Sequence, residues 1–223
     1  MLACDGSDLC IAHNPDDKTT YFQSTPLSRG FNQLHLNAVY DLQTRTYTDA
    51  IIQPACQENE NRAMCDMIDR YSGHLKTIFI ADRGYENYNI FAHAQEHGVF
   101  YLIRAKDLLS NGIVSSVREQ LPKNQMTFDR SVSITLTRKQ TNVVKANPKK
   151  YRIIMKATAF DYLDLHVKKF YDLQMRIVRF PISENTYESI ITNLPTEDFS
   201  LEDIRALYHM RWGIETSFRE LKY

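Results

Sequence analysis

Seven side chains in this sequence could do chemistry together. Tyr208, Arg211, Glu215 and Lys222 stand three, four and seven residues apart. On one continuous helix such intervals fall within an arc about 60° wide. A carboxylate, two cations and a phenol would then line one edge, beside a core face of Leu207, Ile214, Phe218 and Leu221. The structural alternative is a solvated face with an Arg211–Glu215 pair, worth a few tenths of a kcal/mol. Gly213 costs that helix ~1 kcal/mol against Ala, which points to close approach by another group. Asp82 follows the apolar run Thr77–Ala81 directly, and Arg83 comes next. The carboxyl ends of parallel strands are where open α/β sheets bind ligands, although a lone Asp there ordinarily caps a turn. Asp5, in Cys4-Asp5-Gly6-Ser7, reads by default as a turn residue. By chemical kind, two Asp and one Glu are hard oxygen ligands for Mg²⁺ or Mn²⁺. Two such ions ~3.5–4 Å apart serve phosphodiester chemistry.

The elements that must position these groups follow from hydrophobic period. Gln33–Tyr40 alternates Leu34, Leu36, Ala38 and Tyr40 with polar residues, a half-buried strand, and Tyr47–Gln53 completes a hairpin with it. Residues 58–71 carry Ala63, Met64, Met67, Ile68 and Tyr71 at helical spacing. Thr77–Ala81, a helix over about 87–97 ended by Gly98, and Val99–Ile103 make a βαβ unit, so part of the sheet is expected to be parallel. Strand-like runs then crowd together at 131–137, 151–156, 166–171 and 175–180, and Tyr187–Asn193 returns to core-strand character. Ser200 is expected to cap one long helix that still runs at Tyr223, with Asp203 completing a partial capping box. The fold class expected is α/β with a mixed sheet: a first part over 1–110, a β-rich basic insertion over 111–185, and a last strand and helix over 186–223.

Composition agrees with a folded, water-soluble chain. The 223 residues are 43% hydrophobic and 24% charged, with 27 basic against 27 acidic side chains. Zero net charge argues against a uniformly basic nucleic-acid coat, but the sum hides a pattern. Residues 1–110 hold 9 basic and 14 acidic groups, residues 111–182 hold 14 and 5, and residues 183–223 hold 4 and 8. A +9 middle between acidic flanks is either a phosphate-following surface or lysine-rich strands that resist edge pairing. Cys4, Cys10, Cys56 and Cys65 have no zinc-ligand spacing and read as free thiols of a reducing compartment. No leader and no apolar run near ~20 residues is present, so a cytoplasmic protein without a membrane span is expected. Both ends are expected to be cuts in a longer chain.

The string LYHMRWGIETSFRELK, with Tyr208, Arg211, Glu215 and Lys222 at fixed spacing, resembles the Y-R-E-K signature of DDE transposases of the insertion sequence 4 family. DGSDLCI and FIADRGYENYNIFAHAQEHGVFYLIRAKD are similar to that family too, as is QLHLNAVYDLQTRTYTDAIIQP between them. The resemblance covers essentially the whole chain. It implies a ribonuclease-H-like core interrupted by a β-strand insertion before the last catalytic helix. It implies Asp5, Asp82 and Glu215 as ligands of two catalytic Mg²⁺ ions, for which Mn²⁺ can substitute. It further implies nicking of transposon-end DNA by water, then attack of the freed 3′-hydroxyl on target DNA. Tyr208, Arg211 and Lys222 would hold phosphates near the cut, with Arg83 a further candidate. Double-stranded DNA is the implied partner, in a bacterial cytoplasm, and the full-length protein would act as a dimer on DNA. Such members carry end-binding and dimerisation regions outside the matched segment. If a hairpin intermediate forms, the lone Trp212 lies in the last helix and not in the insertion that would supply the stacking aromatic. The rival expectations are a truncated or domesticated DNA-binding remnant without catalysis, and a general metal-dependent nuclease on the same fold.

Overall fold

The computed structural model describes residues 1–222 apart from 74, 75, 124 and 165. Strand β1 (Leu2–Ile11) pairs antiparallel along its length with β3 (Phe31–Asp41). β3 also pairs with the short β2 (Tyr21–Phe22) and, as the expected hairpin, with β4 (Thr46–Pro54). Helix α1 (Glu60–Asp69) starts where the Asn59 side chain accepts the Arg62 N–H. β5 (Ile78–Ala81), α2 (Tyr88–Glu96) and β6 (Phe100–Ala105) form the expected βαβ unit, with β5 parallel to both β1 and β6. Gly98 follows α2 at φ +64°, a left-handed position glycine occupies without strain.

The next segment contains α3 (Ile113–Ser116), β7 (Phe128–Thr137), α4 (Asn142–Ala146), β8 (Tyr151–Ile153), β9 (Phe170–Ser183) and β10 (Thr186–Thr192). β10 lies between β6 and β9, and β7 then β8 extend the sheet outward from β9. Parallel and antiparallel pairs thus share one sheet, the mixed α/β, ribonuclease-H-like layout expected. Its main core joins α1 and α2 (Met64, Ile68, Ile90, Phe91) to Cys4, Phe79 and Tyr101, and continues to Ile134 and Leu173. Two smaller clusters build the opposite face. In one, Ile204 and Tyr208 meet Ile80 and Phe180; in the other, Ile214 and Phe218 meet Ala3, Leu36 and Ala38.

Those two clusters explain a departure from expectation. The single long helix is two, α5 (Leu201–His209) and α6 (Trp212–Lys222). Between them the N–H groups of Met210, Arg211, Gly213 and Ile214 bond to carbonyls three residues back, a tighter turn than α-helix. The break lets each helix lay its apolar stripe on its own cluster. Gly213 is the close approach its type implied: a Cβ there would stand 2.6 Å from Leu42 Cδ2. Two other expectations also give way. Residues 166–169 lie outside β9, because the Asp164 carboxylate gathers the N–H groups of His166, Val167 and Lys168 into a turn. β3 is not half-buried: His35, Asn37 and Val39 are as enclosed as their apolar neighbours, because α1 packs over that face.

Candidate active site

β1 and β5 pair only through Leu2 with Phe79 and Ala3 with Ile80, so pairing stops just short of Asp5 and Asp82. Asp5 is a strand residue and not a turn residue. Side chains alternate along a strand. Ala3 packs in the α6 cluster, so Asp5 points to the same side. Asp82 is extended, and its Oδ1 accepts the Gly84 N–H at 2.7 Å, which fixes the carboxylate at the strand end. The capping use expected of a lone Asp is therefore real, and it orients the group. Glu215 occupies the first turn of α6.

Arg211, in the turn between α5 and α6, joins two of these acids. Its Nη2 donates to Glu215 Oε1 at 2.6 Å, and its Nη1 lies 3.6 Å from Asp5 Oδ2. Burial pushes the Asp5 carboxyl up from 3.8 to about 6, with the Gly6 N–H and Arg211 opposing and the charges of Asp82 and Glu215 adding to the rise. Asp5, Asp82 and Glu215 thus share one electrostatic neighbourhood. The donor set is wholly carboxylate and overcharged, which fits a hard divalent cation.

The remaining candidates divide by exposure. Tyr208 is buried, its hydroxyl has no hydrogen-bond partner among the described residues, and burial pushes its pKa up to about 12. Arg211 is only 7% exposed, and its guanidinium lies 5.9 Å from the Tyr208 ring and 5.4 Å from that of Trp212. Arg211 therefore faces the carboxylates and not open solvent. Arg83 is exposed and lines an open cleft of about 820 Å³ with Asp82, Glu86 and Lys106. Lys106 was not singled out from sequence, where a lone Lys after a strand carries no pattern. Lys222 is exposed at the end of α6, roughly 10 Å of helix beyond Glu215.

A second polar group lies beside the first. His35 on β3 is 6% exposed; its Nδ1 stands 2.8 Å from Asp8 and 3.1 Å from Glu58, and its Nε2 3.0 Å from Glu60. Burial lowers its pKa, but the Asp8 hydrogen bond and the Glu60 and Glu58 charges raise it more, so it lies above the usual 6.5. Asp8, His35 and Glu58 offer ligand atoms within 4.8 Å of one another. Both ring nitrogens face carboxylates, however, so the ring donates on both sides and keeps no lone pair for a cation, and its one positive charge offsets only part of the three acids around it. These residues escaped the sequence reading because an alternating strand and a helix N-terminus account for them without chemistry.

A family model described as a transposase DDE domain matches residues 2–223. No curated protein matches the chain significantly.

Proposed function

The chain belongs to the transposase DDE-domain family, and from that premise we propose that it catalyses cut-and-paste movement of DNA: nicking at transposon ends by water, then transfer of the freed 3′-hydroxyl to a target. Membership makes it the catalytic core of a DNA transposase, within a family of metal-dependent polynucleotidyl transferases. The Y-R-E-K spacing assigns it to the insertion sequence 4 group. Asp5, Asp82 and Glu215 are the cation ligands in this reading, for two Mg²⁺ ions or Mn²⁺ in their place. The supporting observation is the shared neighbourhood of these three acids, from a strand, a strand end and a helix, with burial and mutual repulsion lifting Asp5 to about 6.

Bound there, divalent cations supply the Lewis acidity that lowers the pKa of an attacking water or hydroxyl. The chain's own residues do the rest. Arg211 holds Asp5 and Glu215 at a fixed separation. Arg83, with Lys106 across the cleft, receives a phosphate next to Asp82, where a guanidinium suits bidentate contact. Lys222 meets the DNA backbone farther along α6 as a point charge. Tyr208 is buried beside Arg211 and supports its guanidinium. Exposed lysines of residues 111–185 follow the duplex as the insertion of a ribonuclease-H-like core, in a protein that works as a dimer on bacterial DNA in the cytoplasm. No helix among the described residues is long and apolar enough to cross a membrane.

The test is nicking of duplexes carrying the element's own ends, with Mg²⁺ or Mn²⁺. Asp82→Asn is expected to lower the nicking rate at least ~100-fold, since loss of a ligand costs at least as much as loss of the group that orients one. Undiminished nicking by the variant would sink the assignment.

A further inference from the structure

Glu60 opens α1 and is read most simply as an acid placed favourably at a helix N-terminus. Its surroundings ask for more. We propose that Glu60 is a fourth carboxylate of the cation site, held at the edge of that site by His35. The proposal rests on the reading of Asp5, Asp82 and Glu215 as cation ligands and extends it.

Position comes first. A Cβ on Gly84 would stand 3.1 Å from Asp82 Oδ1 and 3.8 Å from Glu60 Oε2. The two carboxylates therefore face the same small space, and glycine keeps it clear. On its other side Glu60 Oε1 fills the room above Gly6, on the face of β1 opposite the Asp5 side chain, where a methyl group would collide with Glu60 and with His35. Gly84 and Gly6 thus make room for one glutamate beside Asp82.

Orientation comes second. His35 Nε2 donates to Glu60 Oε1 at 3.0 Å, and the ring is locked from behind by Asp8 and Glu58 on Nδ1. One glutamate oxygen is tied down, and the other is left on the Asp82 side. A carboxylate used only for an ion pair would not need its second oxygen turned toward another acid, which is repulsive.

An independent observation points to a ligand in the same place. The Tyr85 side chain is 1% exposed, and its hydroxyl reaches only the buried Cys4 thiol, a weak acceptor, with no oxygen or nitrogen partner among the described residues. Burial pushes its pKa up, and the charges of Glu60, Asp5 and Asp82 all act on it in the same direction. A buried hydroxyl that meets only a thiol beside carboxylates is under-satisfied, and a bound ion with its water is one group that would complete it.

The experiment titrates the full chain with MnCl₂ and follows free Mn²⁺ by electron paramagnetic resonance, with thermal unfolding as the check on folding. Glu60→Gln keeps an acceptor for His35 and removes the charge. Its Mn²⁺ affinity is expected to fall about 10- to 100-fold. Glu60→Asp keeps the charge with a shorter reach; it is expected to fold as the wild type and to weaken Mn²⁺ less than Glu60→Gln. Glu58→Gln removes the same charge from the far side of His35 and is expected to bind as the wild type. Wild-type affinity in Glu60→Gln, or equal weakening in Glu58→Gln, overturns the proposal. Asp82→Asn separates it from its premise. Binding lost in Asp82→Asn but intact in Glu60→Gln removes Glu60 alone. Binding intact in Asp82→Asn removes the site as a whole.

Discussion

Arg211 shows what a spacing pattern conveys and what it leaves out. The interval from Tyr208 to Glu215 marked the residues correctly as neighbours, and the structure brings them together. Their direction was another matter. Arg211 lies within reach of both Asp5 and Glu215 and is almost wholly enclosed, whereas an arc on a helix edge had placed it at the solvent border. A cation exposed at the mouth of the cleft beside Asp82 is Arg83, with Lys106 lining the same cleft. Arg83→Ala is therefore expected to weaken binding to end-sequence duplexes and to make the slope of log affinity against log salt shallower by about 1. Fluorescence anisotropy across a series of KCl concentrations reads that slope, and an unchanged slope would show that Arg83 meets no phosphate. Glu60 and His35 were illegible for a simple reason. Each has an ordinary job that fits its local sequence, and only the fold brings Gly6 and Gly84 beside them.

Among the elements, the strands and the βαβ unit were readable because period and punctuation agree: apolar Ile78–Ala81, a capped helix, then Gly98 at positive φ. The last helix was misread because periodicity looks only along the chain. Leu207, Ile214 and Phe218 satisfy one helical stripe, yet Ile204 and Tyr208 pack on one part of the sheet and Ile214 and Phe218 on another. No single straight helix serves both. The turn at Met210 and Arg211 carries Arg211 to Asp5 and Glu215. α5 must hold its own start for that turn to be placed. Ser200 accepts the Asp203 N–H at 3.1 Å while the Asp203 carboxylate accepts the Ser200 N–H at 2.8 Å, a closed capping box. Ser200→Ala is expected to cost about 1 kcal/mol, read as a lower urea midpoint with an unchanged denaturant slope.

For the molecule as a whole, charge was the least legible quantity, because a sequence count cannot tell a surface cation from an internal one. Of the 14 basic residues in 111–182, Arg176 and Arg179 are buried in the sheet. Arg176 is paired twice to Asp129, at 2.7 and 2.5 Å, and reaches the carbonyls of Leu194, Pro195 and Phe199. Arg179 is paired to Asp107 at 2.7 and 2.8 Å, with Ser189 also donating to that carboxylate. These pairs tie β9 to β7, to the loop after β6 and to the approach to α5, so they fasten the outer strands of the sheet to the part of the chain that carries Glu215. They bear on acid stability in a definite direction. Arg179, with Ser189 assisting against partial burial, draws the Asp107 carboxyl down from 3.8 to about 2. A carboxyl depressed in the fold stabilises it fully above its unfolded pKa, and that contribution disappears as pH falls from about 4 to about 2. Its size at neutral pH is at most about 2 kcal/mol, since the group is partly wet. Asp107→Asn strands a buried Arg179 at every pH, whereas protonation strands it in the wild type only in acid. The stability gap between the two proteins, from urea unfolding at a series of pH values, is thus expected to be widest at pH 7 and to close toward pH 2. A gap that stays constant with pH would show that the Asp107–Arg179 pair does not stabilise the sheet through charge.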